Sequence, residues 1–414
     1  METETLNIST GPKDVDVCLN HVHHRVDREM NSKLSKQFTA EEIKDALFQM
    51  NPMGAPGPDG FSALFYQSHW EVIGEDITKA ALEILNEGGE IAPINNTFIV
   101  LMPKIKNPQK VLEYRPIYLC NVIYKVVSKV LSNRLKEILP LIIATTQRAF
   151  IPGRMILNNV IVAFETLHSM STKGKGQQGY MAIKLDMSKV YDRVEWEFLR
   201  KVMAKMGFNS RWIRLIMGKL SINHLFFVDD SLLFCRANAR EWSSIYFLLN
   251  LYEEASGQKL NKTKTSIFFS PNTKPATKEY ILSLAGTRSS SCYEKYLGLP
   301  ALIGRSKKAA FKSIIDRIKS RVGNWKNKFL SHAGKEILLK AVVQALPTYC
   351  MGVFKMPKSL LSDINRIMQQ FWLGHLQNER KVHWVSWGQM GRSKATGGLG
   401  FRDLEVFNLT LLAK

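Results

Sequence analysis

The stretch FFVDDSLLF, residues 226–234, most constrains the fold, because it places two adjacent carboxylates between runs of strand-forming residues. Such runs predict a β-hairpin with Asp229 and Asp230 at its tip. A plain β-turn explains the pair, since the short polar side chain of Asp suits turn positions. A cation held at the end of a sheet is the alternative. Taken alone, the stretch favours the β-turn over the cation site. Evidence for a cation site has to come from other parts of the sequence.

The charge balance indicates a polyanionic partner. The chain has 414 residues, with 57 Lys and Arg against 36 Asp and Glu, a formal net charge of +21. This excess favours nucleic acid first and an anionic membrane surface second. No stretch approaches 18 uncharged apolar residues, which excludes a membrane-spanning helix. The length allows two or three domains.

The five cysteines are scattered and odd in number, without a Cys-x-x-Cys pair, which indicates a reducing compartment. The N-terminus has no apolar stretch of the kind that signal peptides carry. The segment CLNHVHH gathers Cys18, His21, His23 and His24, but no second Cys/His pair follows to complete a zinc site. We therefore expect residues 1–38 to be an exposed polar leader.

Capping residues and apolar periodicity predict most of the elements. Thr39 and Glu42 form a capping box that begins a helix, and the Gly- and Pro-rich loop at 51–60 ends it. The other predicted elements are a helix near 76–86, a strand over 97–105, a helix over 122–139 with Lys125, Lys129, Arg134 and Lys136 on its polar side, a helix over 194–217 burying Phe198, Val202 and Met206, and helices near 309–322, 333–346 and 358–372.

A strand, helix and strand then connect Asp186 to the Asp pair. Asp186 ends the strand in YMAIKLDMSKVYDRVEW, and a crossover of a dozen or more residues can return the chain parallel to that strand. Parallel strands end at the same edge of a sheet, so we expect Asp186, Asp229 and Asp230 to converge. Three carboxylates repel one another unless a cation lies among them, and Mg²⁺ is bound by carboxylates together with substrate phosphates. The pattern predicts a nucleotidyl-transfer site.

Eight stretches occur in one characteristic order: APGPDGF, LMPKIKNPQKVLEYRPIYLCNVIYKVVSKVLSNRL, QRAFIPGR, IKLDMSKVYDRVEW, FFVDDSLLF, SGQKLNKTKT, YLGLP and GGLGFRDL. Through them the chain resembles the reverse transcriptase domain of LINE-type (non-LTR) retrotransposons, in the form abundant in plant genomes. The resemblance covers roughly residues 28–414. It implies a mixed α/β (α+β) fold of the right-hand polymerase type, with fingers over 39–150, a palm over 151–300 and a helical thumb over 301–414.

The resemblance also implies the chemistry. An RNA-directed DNA polymerase of this kind uses two-metal nucleotidyl transfer, with Mg²⁺ or Mn²⁺ as cofactor. Asp186, Asp229 and Asp230 match the metal-binding carboxylates of the palm. The implied partners are an RNA template, a DNA primer and deoxynucleoside triphosphates. No interaction with a membrane is implied. The implied location is intracellular, in the nucleus or the cytoplasm.

Four further residues match functional positions of the family. Lys104 and Arg115 match finger residues that hold the incoming triphosphate, and the fork of Arg115 suits phosphate. Tyr191 matches the aromatic gate against the sugar, and Lys264 matches the proposed proton donor to pyrophosphate. Without the resemblance, the three charged residues are ordinary surface charges, and Tyr191 is a core aromatic at a helix start.

Residues 301–340 carry 11 Lys or Arg against Asp316 and Glu336, with Trp325 and Phe329 among them. Interleaved basic and aromatic residues suit contacts to a phosphate backbone. A basic face over buried aromatics explains the aromatics equally well, but not the one-sided charge. The predicted nucleic-acid contacts are Lys307, Lys308, Lys312, Arg317, Lys319, Arg321, Lys326 and Lys328.

The chain departs from the family between the first palm strand and the Asp pair. Family members continue after WIRLIM through several tens of residues that contact the template and the nucleotide, whereas here WIRLIMGK runs almost directly into LSINHLFFVDD. We predict a degenerate copy with an internal deletion near 218–221, a truncated palm and impaired activity. The alternative is a non-catalytic nucleic-acid-binding remnant. A metal-dependent phosphohydrolase on the same carboxylates has no further supporting residue.

Overall fold

The computed structural model of the chain describes residues 15–172, 174, 176, 178–188, 193–219, 230–289, 295–300, 303, 307–324, 330–373 and 385–413. The chain divides into two compact units that interleave along the sequence. The first unit comprises Met1–Arg154, Met187–Asp229 and Ser244–Leu260, and the second comprises Met155–Asp186, Asp230–Ser243 and Asn261–Lys414. The predicted boundaries of fingers, palm and thumb stay predictions.

The described residues contain both helices and strands, which confirms the mixed helix and sheet composition. The helices are α1 (Val15–Leu19), α2 (Arg28–Ser35), α3 (Ala40–Phe48), α4 (Ala63–Ser68), α5 (Trp70–Leu82), α6 (Val122–Ile142), α7 (Ile156–Thr172), α8 (Trp196–Met206), α9 (Ser210–Lys219), α10 (Ala239–Ser256), α11 (Pro275–Ala285), α12 (Lys307–Ala310), α13 (Lys312–Asn324), α14 (His332–Leu338), α15 (Thr348–Met351), α16 (Lys358–Leu373), α17 (Trp387–Met390) and α18 (Leu404–Ala413). The strands are β1 (Thr97–Pro103), β2 (Tyr114–Cys120), β3 (Tyr180–Ser188), β4 (Asp230–Arg236), β5 (Lys259–Leu260), β6 (Ser266–Phe269), β7 (Arg288–Ser289), β8 (Lys295–Tyr296) and β9 (Leu299–Pro300).

The first unit is built around α6, because that helix repeats apolar residues at intervals of three and four. Val126 and Val130 are buried on one face, and Ile43 of α3 packs in the same core. This spacing places apolar side chains on one side of a helix. The predicted helix over 122–139 is therefore confirmed, with an extension to Ile142.

The start of α3 follows the capping-box prediction. The Thr39 hydroxyl accepts a hydrogen bond from the Glu42 N–H at 3.4 Å, and Glu42 Oε2 accepts one from the Thr39 N–H at 2.9 Å. Two otherwise unpaired donors are satisfied in this way. The loop at 51–60 has no helix or strand, as its Gly and Pro content predicts.

Residues 15–38 are not an exposed leader throughout. They form α1 and α2, and Val26 and Leu34 are buried in the same core as α6. The apolar residues in this segment are too sparse for a sustained helical period, which is why the sequence pattern misses them. The three histidines of CLNHVHH are exposed, as expected.

The single helix predicted over 194–217 is wrong, because α8 and α9 are separated at Gly207. This residue has a φ of 93°, in the left-handed region that ends helices and favours glycine. The register of α8 also differs from the prediction, since Leu199 is buried. The side chains expected to be buried, Phe198, Val202 and Met206, are only half-buried.

Arg134 was predicted on the polar side of α6, but its side chain is only 9% exposed. Its guanidinium donates to Glu42 Oε1 at 2.7 Å and to Glu42 Oε2 at 2.9 Å. It also donates to the main-chain carbonyls of Leu34, Lys36 and Gln37, which follow or end α2. The fork of donors on one side chain therefore ties α2, α3 and α6 together.

The second unit contains a sheet with the strand order β4-β3-β6-β7, in which β3 is central. β4 pairs with β3 on one side and β6 on the other, both antiparallel, and β7 joins β6 in parallel. Met181 and Ile183 of β3 and Ile267 of β6 are fully buried. A strand paired on both edges has its backbone donors and acceptors satisfied along that length.

The prediction that the second aspartate strand runs parallel to the first is wrong. β4 is antiparallel to β3, and Asp230 begins β4 rather than ending it. The intervening α8 and α9 contribute Leu199 and Trp212 to the helical core of the first unit, so they do not form a crossover within one unit. The predicted tip of the hairpin includes Asp229, which lies outside the described residues.

The remaining helices of the second unit pack on one another. Ile318 of α13, Leu360 and Ile364 of α16 and Leu404 of α18 are fully buried in one apolar cluster. These residues belong to one continuous apolar cluster of the second unit. The stretches predicted near 309–322 and 358–372 correspond to α12 with α13 and to α16. The stretch predicted near 333–346 is shorter, because α14 continues as a π-helix only to Val343.

The β1–β2 hairpin of the first unit exposes apolar side chains on both of its faces. Phe98, Val100 and Met102 occupy one face, and Ile99 and Leu101 occupy the other, by the alternation of a strand. All five are between 40% and 60% exposed. An apolar edge of this length is a site at which chains associate or aggregate.

We expect Arg134→Met to lower the free energy of unfolding of the first unit by about 3 kcal/mol, because Glu42 and three carbonyls lose their donor. The measurement is chemical denaturation followed by circular dichroism. Arg200→Met is the matched control, since Arg200 and Glu197 form an exposed pair within α8. Equal destabilisation by both substitutions would contradict the role given to Arg134.

The Glu42 carboxyl should make the first unit sensitive to acid. Burial pushes its pKa up, but hydrogen bonds from Arg134 and Thr39 outweigh burial and hold the pKa below its ordinary value of 4.5. A lowered pKa in the folded state adds stability above pH 4.5, and this stability is lost as the pH falls through the lower value. Glu42→Gln should flatten the dependence of the melting temperature on pH below 4.5, and an unchanged profile would contradict this.

Candidate active site

Asp186 and Asp230 occupy opposite positions in the β3–β4 ladder. Opposite positions in an antiparallel ladder lie on the same face of the sheet. The antiparallel direction brings the last residues of β3 beside the first residue of β4. Two acidic positions therefore meet at one edge of the sheet, although by a different strand direction from the one the sequence suggests.

The Asp186 carboxylate lies at the margin of the buried part of β3. Leu185, the residue before it, is 5% exposed, whereas the Asp186 side chain is 20% exposed. This partial burial keeps the carboxylate accessible from the sheet edge while apolar neighbours fix its strand.

A turn over residues 261–265 packs its backbone against Asp186. The Asn261 N–H donates to the Asp186 carbonyl at 2.8 Å, and the Asp186 N–H lies 3.5 Å from Thr265 Oγ1. Within the turn, Asn261 Oδ1 accepts from the Thr263 hydroxyl at 2.7 Å and from the Lys264 N–H at 3.3 Å. Asn commonly organises turns through such side-chain to backbone bonds.

This turn brings Lys264 to Asp186. Lys264 Nζ lies 3.7 Å from Asp186 Oδ1, an ion-pair distance that is too long for a hydrogen bond. The sequence singled out Lys264 but missed Asn261 and Thr265, which position it. The NKTKT pattern carries the signal, because an Asn followed by Thr residues is typical of a side-chain-stabilised turn.

Several residues of the predicted site lie outside the part of the chain that the structure describes. Asp229, Tyr191, Lys326 and Lys328 are outside the described residues, and the side chain of Asp230 is not described. Over the part of the chain that the structure describes, no cluster of three His, Cys, Asp or Glu side chains could hold a metal ion. Asp186 is therefore the one predicted metal ligand whose side chain lies in the described part of the chain.

The Asp186 side chain fits a divalent cation at this edge of the sheet. Its carboxylate is a hard oxygen ligand of the kind that Mg²⁺ prefers, and an ammonium group already pairs with it. The Asp186 carboxylate is partly exposed and already lies beside the positive charge of Lys264, which is compatible with binding of Mg²⁺ or Mn²⁺.

Lys104 and Arg115 lie together in the first unit, at the end of the β1–β2 hairpin. Arg115 pairs with Met102 in the ladder, and the Lys104 N–H donates to the Glu113 carbonyl at 2.7 Å, which continues the register. Lys104 and Arg115 therefore share one face of the hairpin, and both are exposed. Asp186 and Lys264 belong to the second unit.

A cavity of about 630 Å³ in the first unit lies between the opposite hairpin face and α6. Ile99 and Tyr118 line it from the hairpin, and Lys125 and Lys129 line it from α6. Burial lowers the pKa of Lys129, and the nearby charge of Lys136 lowers it further. The sequence placed these lysines on a solvated helix face and did not indicate a cavity.

Ala55 of the APGPDG loop lines this cavity, and the loop needs a glycine at position 57. A Cβ on Gly57 would lie 2.4 Å from the Asn121 Oδ1 atom and 2.5 Å from its backbone nitrogen. The same Oδ1 accepts a hydrogen bond from the Asp59 N–H at 3.2 Å. Close approach of the loop to the start of α6 therefore explains the glycine.

The exposed face of α13 is basic. Ile314, Ile315 and Ile318 are buried on its inner face. Lys312, Arg317, Lys319 and Arg321 of the predicted nucleic-acid contacts are exposed on the other face.

Other positive charges of residues 301–340 are engaged within the protein. Lys308 pairs with Asp363 at 2.7 Å, and this pairing lowers the pKa of the Asp363 carboxyl. Lys335 is buried, and its Nζ lies 3.4 Å from the Trp372 carbonyl. Among the described residues of the predicted contacts, Lys307 is exposed on α12, and Lys312, Arg317, Lys319 and Arg321 are exposed on α13.

Residues 105–223 match the family described as reverse transcriptase (RNA-dependent DNA polymerase). The match includes Arg115, Asp186 and Tyr191, and it ends before Asp229 and Asp230. Among the described residues no helix is both long enough and apolar enough to cross a membrane.

Three relatives are similar to parts of the chain. The Transposon TX1 uncharacterized 149 kDa protein of Xenopus laevis is 28% identical over 45% of this chain. A putative ribonuclease H protein of Arabidopsis thaliana is 34% identical over 28% of the chain, and an uncharacterized mitochondrial protein of the same plant is 46% identical over 17%. The matched stretches span 14%, 19% and 46% of the relatives' lengths, respectively. The family match and the transposon relative support a reverse transcriptase domain of a retroelement.

Proposed function

We propose that the chain is the reverse transcriptase domain of a LINE-type retrotransposon, an RNA-directed DNA polymerase that is impaired in this copy. The observation that carries the proposal is the pairing of Asp186 with Asp230 across the β3–β4 ladder. Asp186 also lies within residues 105–223, the part of the chain that matches the reverse transcriptase family. The fingers, palm and thumb assignment remains part of this proposal.

The sheet edge that carries Asp186 and Asp230, called the acidic edge below, would bind the cations that the reaction needs. Asp186, Asp229 and Asp230 would hold Mg²⁺ or Mn²⁺, which in two-metal sites stabilise the attacking and leaving oxygens of a phosphoryl transfer. Asp186 supports this role through its position and partial exposure. Its own contribution is to keep one oxygen ligand fixed at the end of a buried strand.

The basic residues would handle the polyanionic substrates. Lys104 and Arg115 would meet the triphosphate, since they share an exposed hairpin face. Tyr191 would contact the sugar, and Lys264 would donate a proton to the leaving pyrophosphate. The basic face of α13 would follow the phosphate backbone of the RNA template and DNA primer without reading sequence.

The proposed impairment comes from the short connection before β4. Only residues 220–229 separate α9 from β4, whereas the family resemblance calls for several tens of residues there. The family match ends at residue 223, close to this connection. Alignment of reacting groups can account for about 7–11 kcal/mol of a barrier, so missing template and nucleotide contacts would cost many orders of magnitude in rate.

A non-catalytic nucleic-acid-binding remnant is the second candidate. The short connection between α9 and β4 favours this candidate, because the basic face of α13 does not depend on that connection. The two candidates share nucleic-acid binding and differ in polymerase activity and in the use of a divalent cation.

The α13 face predicts salt-dependent binding to single-stranded RNA. We expect Lys312→Gln, Lys319→Gln and Arg321→Gln together to reduce the slope of log K against log salt by about 2, because fewer counterions are released. Fluorescence anisotropy with a labelled oligouridine measures the slope. The control exchanges the exposed Lys262, Lys274 and Lys355 for Gln. The same loss of slope in both proteins would contradict a specific role for α13.

The acidic edge predicts stabilisation by Mg²⁺. We expect Mg²⁺ to raise the melting temperature of the protein, since a ligand of the folded state stabilises it. Asp186→Asn, Asp229→Asn and Asp230→Asn together should abolish the increase. Asp316→Asn, on the exposed face of α13, should retain it. If the triple variant is stabilised as strongly as the unmodified protein, the cation binds elsewhere.

The short connection predicts little or no primer extension on a poly(rA)/oligo(dT) template with Mg²⁺ or Mn²⁺. Inserting the corresponding segment of a related family member after Met217 should raise the activity. An added Asp186→Asn substitution should abolish that gain. Robust extension by the unmodified chain, lost on Asp229→Asn, would contradict the proposed impairment, whereas inactivity even after the insertion would favour the binding remnant.

A further inference from the structure

Lys264 and Asp186 form a loose ion pair at the edge of the second-unit sheet. Their closest atoms, Nζ and Oδ1, are 3.7 Å apart, within the range of charge attraction but beyond that of a hydrogen bond. The Lys264 side chain is 67% exposed, so its ammonium group remains largely solvated. Exposed pairs of this kind are weak, and another cation can displace the ammonium group.

The backbone keeps Lys264 beside Asp186 without help from this ion pair. The Asn261 N–H is bonded to the Asp186 carbonyl, and the Thr265 N–H donates to the Asn261 carbonyl at 2.8 Å. The Lys264 N–H donates to the same carbonyl at 3.1 Å. Only the flexible stem of Lys264 has to move for its ammonium group to leave the carboxylate.

The ammonium group of Lys264 also has an electrostatic effect on Asp186. In the metal-free protein its positive charge offsets part of the negative charge of the Asp186 carboxylate. The same charge opposes the approach of a second cation to the same carboxylate.

We propose that Lys264 is an internal counter-ion that occupies Asp186 in the absence of a divalent cation and is displaced when the cation binds. The inference rests on the proposed function, because it takes Asp186 as a ligand of that cation. It gives Lys264 a role in the metal-free protein, separate from proton donation to pyrophosphate. Binding of the cation is then an exchange of one positive group for another at the same carboxylate.

The first test measures Mn²⁺ affinity by electron paramagnetic resonance, with no nucleotide or nucleic acid present. Lys264→Met should bind Mn²⁺ about three- to tenfold more tightly than the unmodified protein, because a competing charge is gone. Lys262→Met is the matched control, since it removes the same charge two residues away in the same turn and should have a smaller effect. Lys264→Arg keeps the charge and should not increase the affinity.

The second test follows release of the ammonium group directly. Limited acetylation with an amine-reactive reagent, read by mass spectrometry, should label Lys264 faster when Mn²⁺ is saturating. Labelling of Lys262 should not change. In Asp186→Asn the rate at Lys264 should be high without Mn²⁺ and insensitive to it.

The outcomes separate this inference from the proposed function. Equal effects of Lys264→Met and Lys262→Met on an affinity that Asp186→Asn abolishes would overturn the counter-ion role and leave the metal site intact. Absence of Mn²⁺ binding in every protein, Lys264→Met included, would overturn both. Binding that appears only in Lys264→Met would support the counter-ion role.

Discussion

The two-sided pairing of β3 is the constraint on which the candidate site depends. β4 holds one edge of the strand and β6 the other, so Asp186 cannot shift without breaking two ladders. The same pairing places Asp230 opposite Asp186. It also places the turn over residues 261–265, which precedes β6, beside Asp186. A one-residue slip of β3 would move Asp186 to the other face of the sheet. The position of the carboxylate is therefore a property of the sheet rather than of the local sequence.

The residues proposed for catalysis are divided between the two units. The second unit holds Asp186 and Lys264 and also the basic face of α13, whereas the first holds Lys104 and Arg115 on an exposed hairpin. Each unit has its own core, one around α6 and one around α13 and α16. Substitutions that destabilise the first unit, such as Arg134→Met, should therefore impair triphosphate binding through Lys104 and Arg115.

Local chemistry in the sequence predicted much of the fold. The Thr39 capping box, the Gly- and Pro-rich loop at 51–60 and the apolar period of α6 all depend on neighbours within a few positions. The strand direction at Asp230 was missed, because an alternating pattern is identical in parallel and antiparallel strands. The burial of Arg134 was missed because its partners, Glu42 and the carbonyls after α2, lie about 90 to 100 positions away. For the same reason, the sequence identified Lys264 but not its contact with Asp186.

The interleaving of the units has a consequence for biosynthesis. The first unit requires Met187–Asp229 and Ser244–Leu260, which a ribosome makes only after most of β3 has emerged. Domains usually fold as units from the N-terminus during synthesis. Here the helices before Arg154 must wait for about a hundred further residues before their unit is complete. During this interval the core around α6 lacks the apolar side chains that α8 and α9 supply, such as Leu199 and Trp212. Apolar surface left uncovered in this way favours aggregation of the nascent chain.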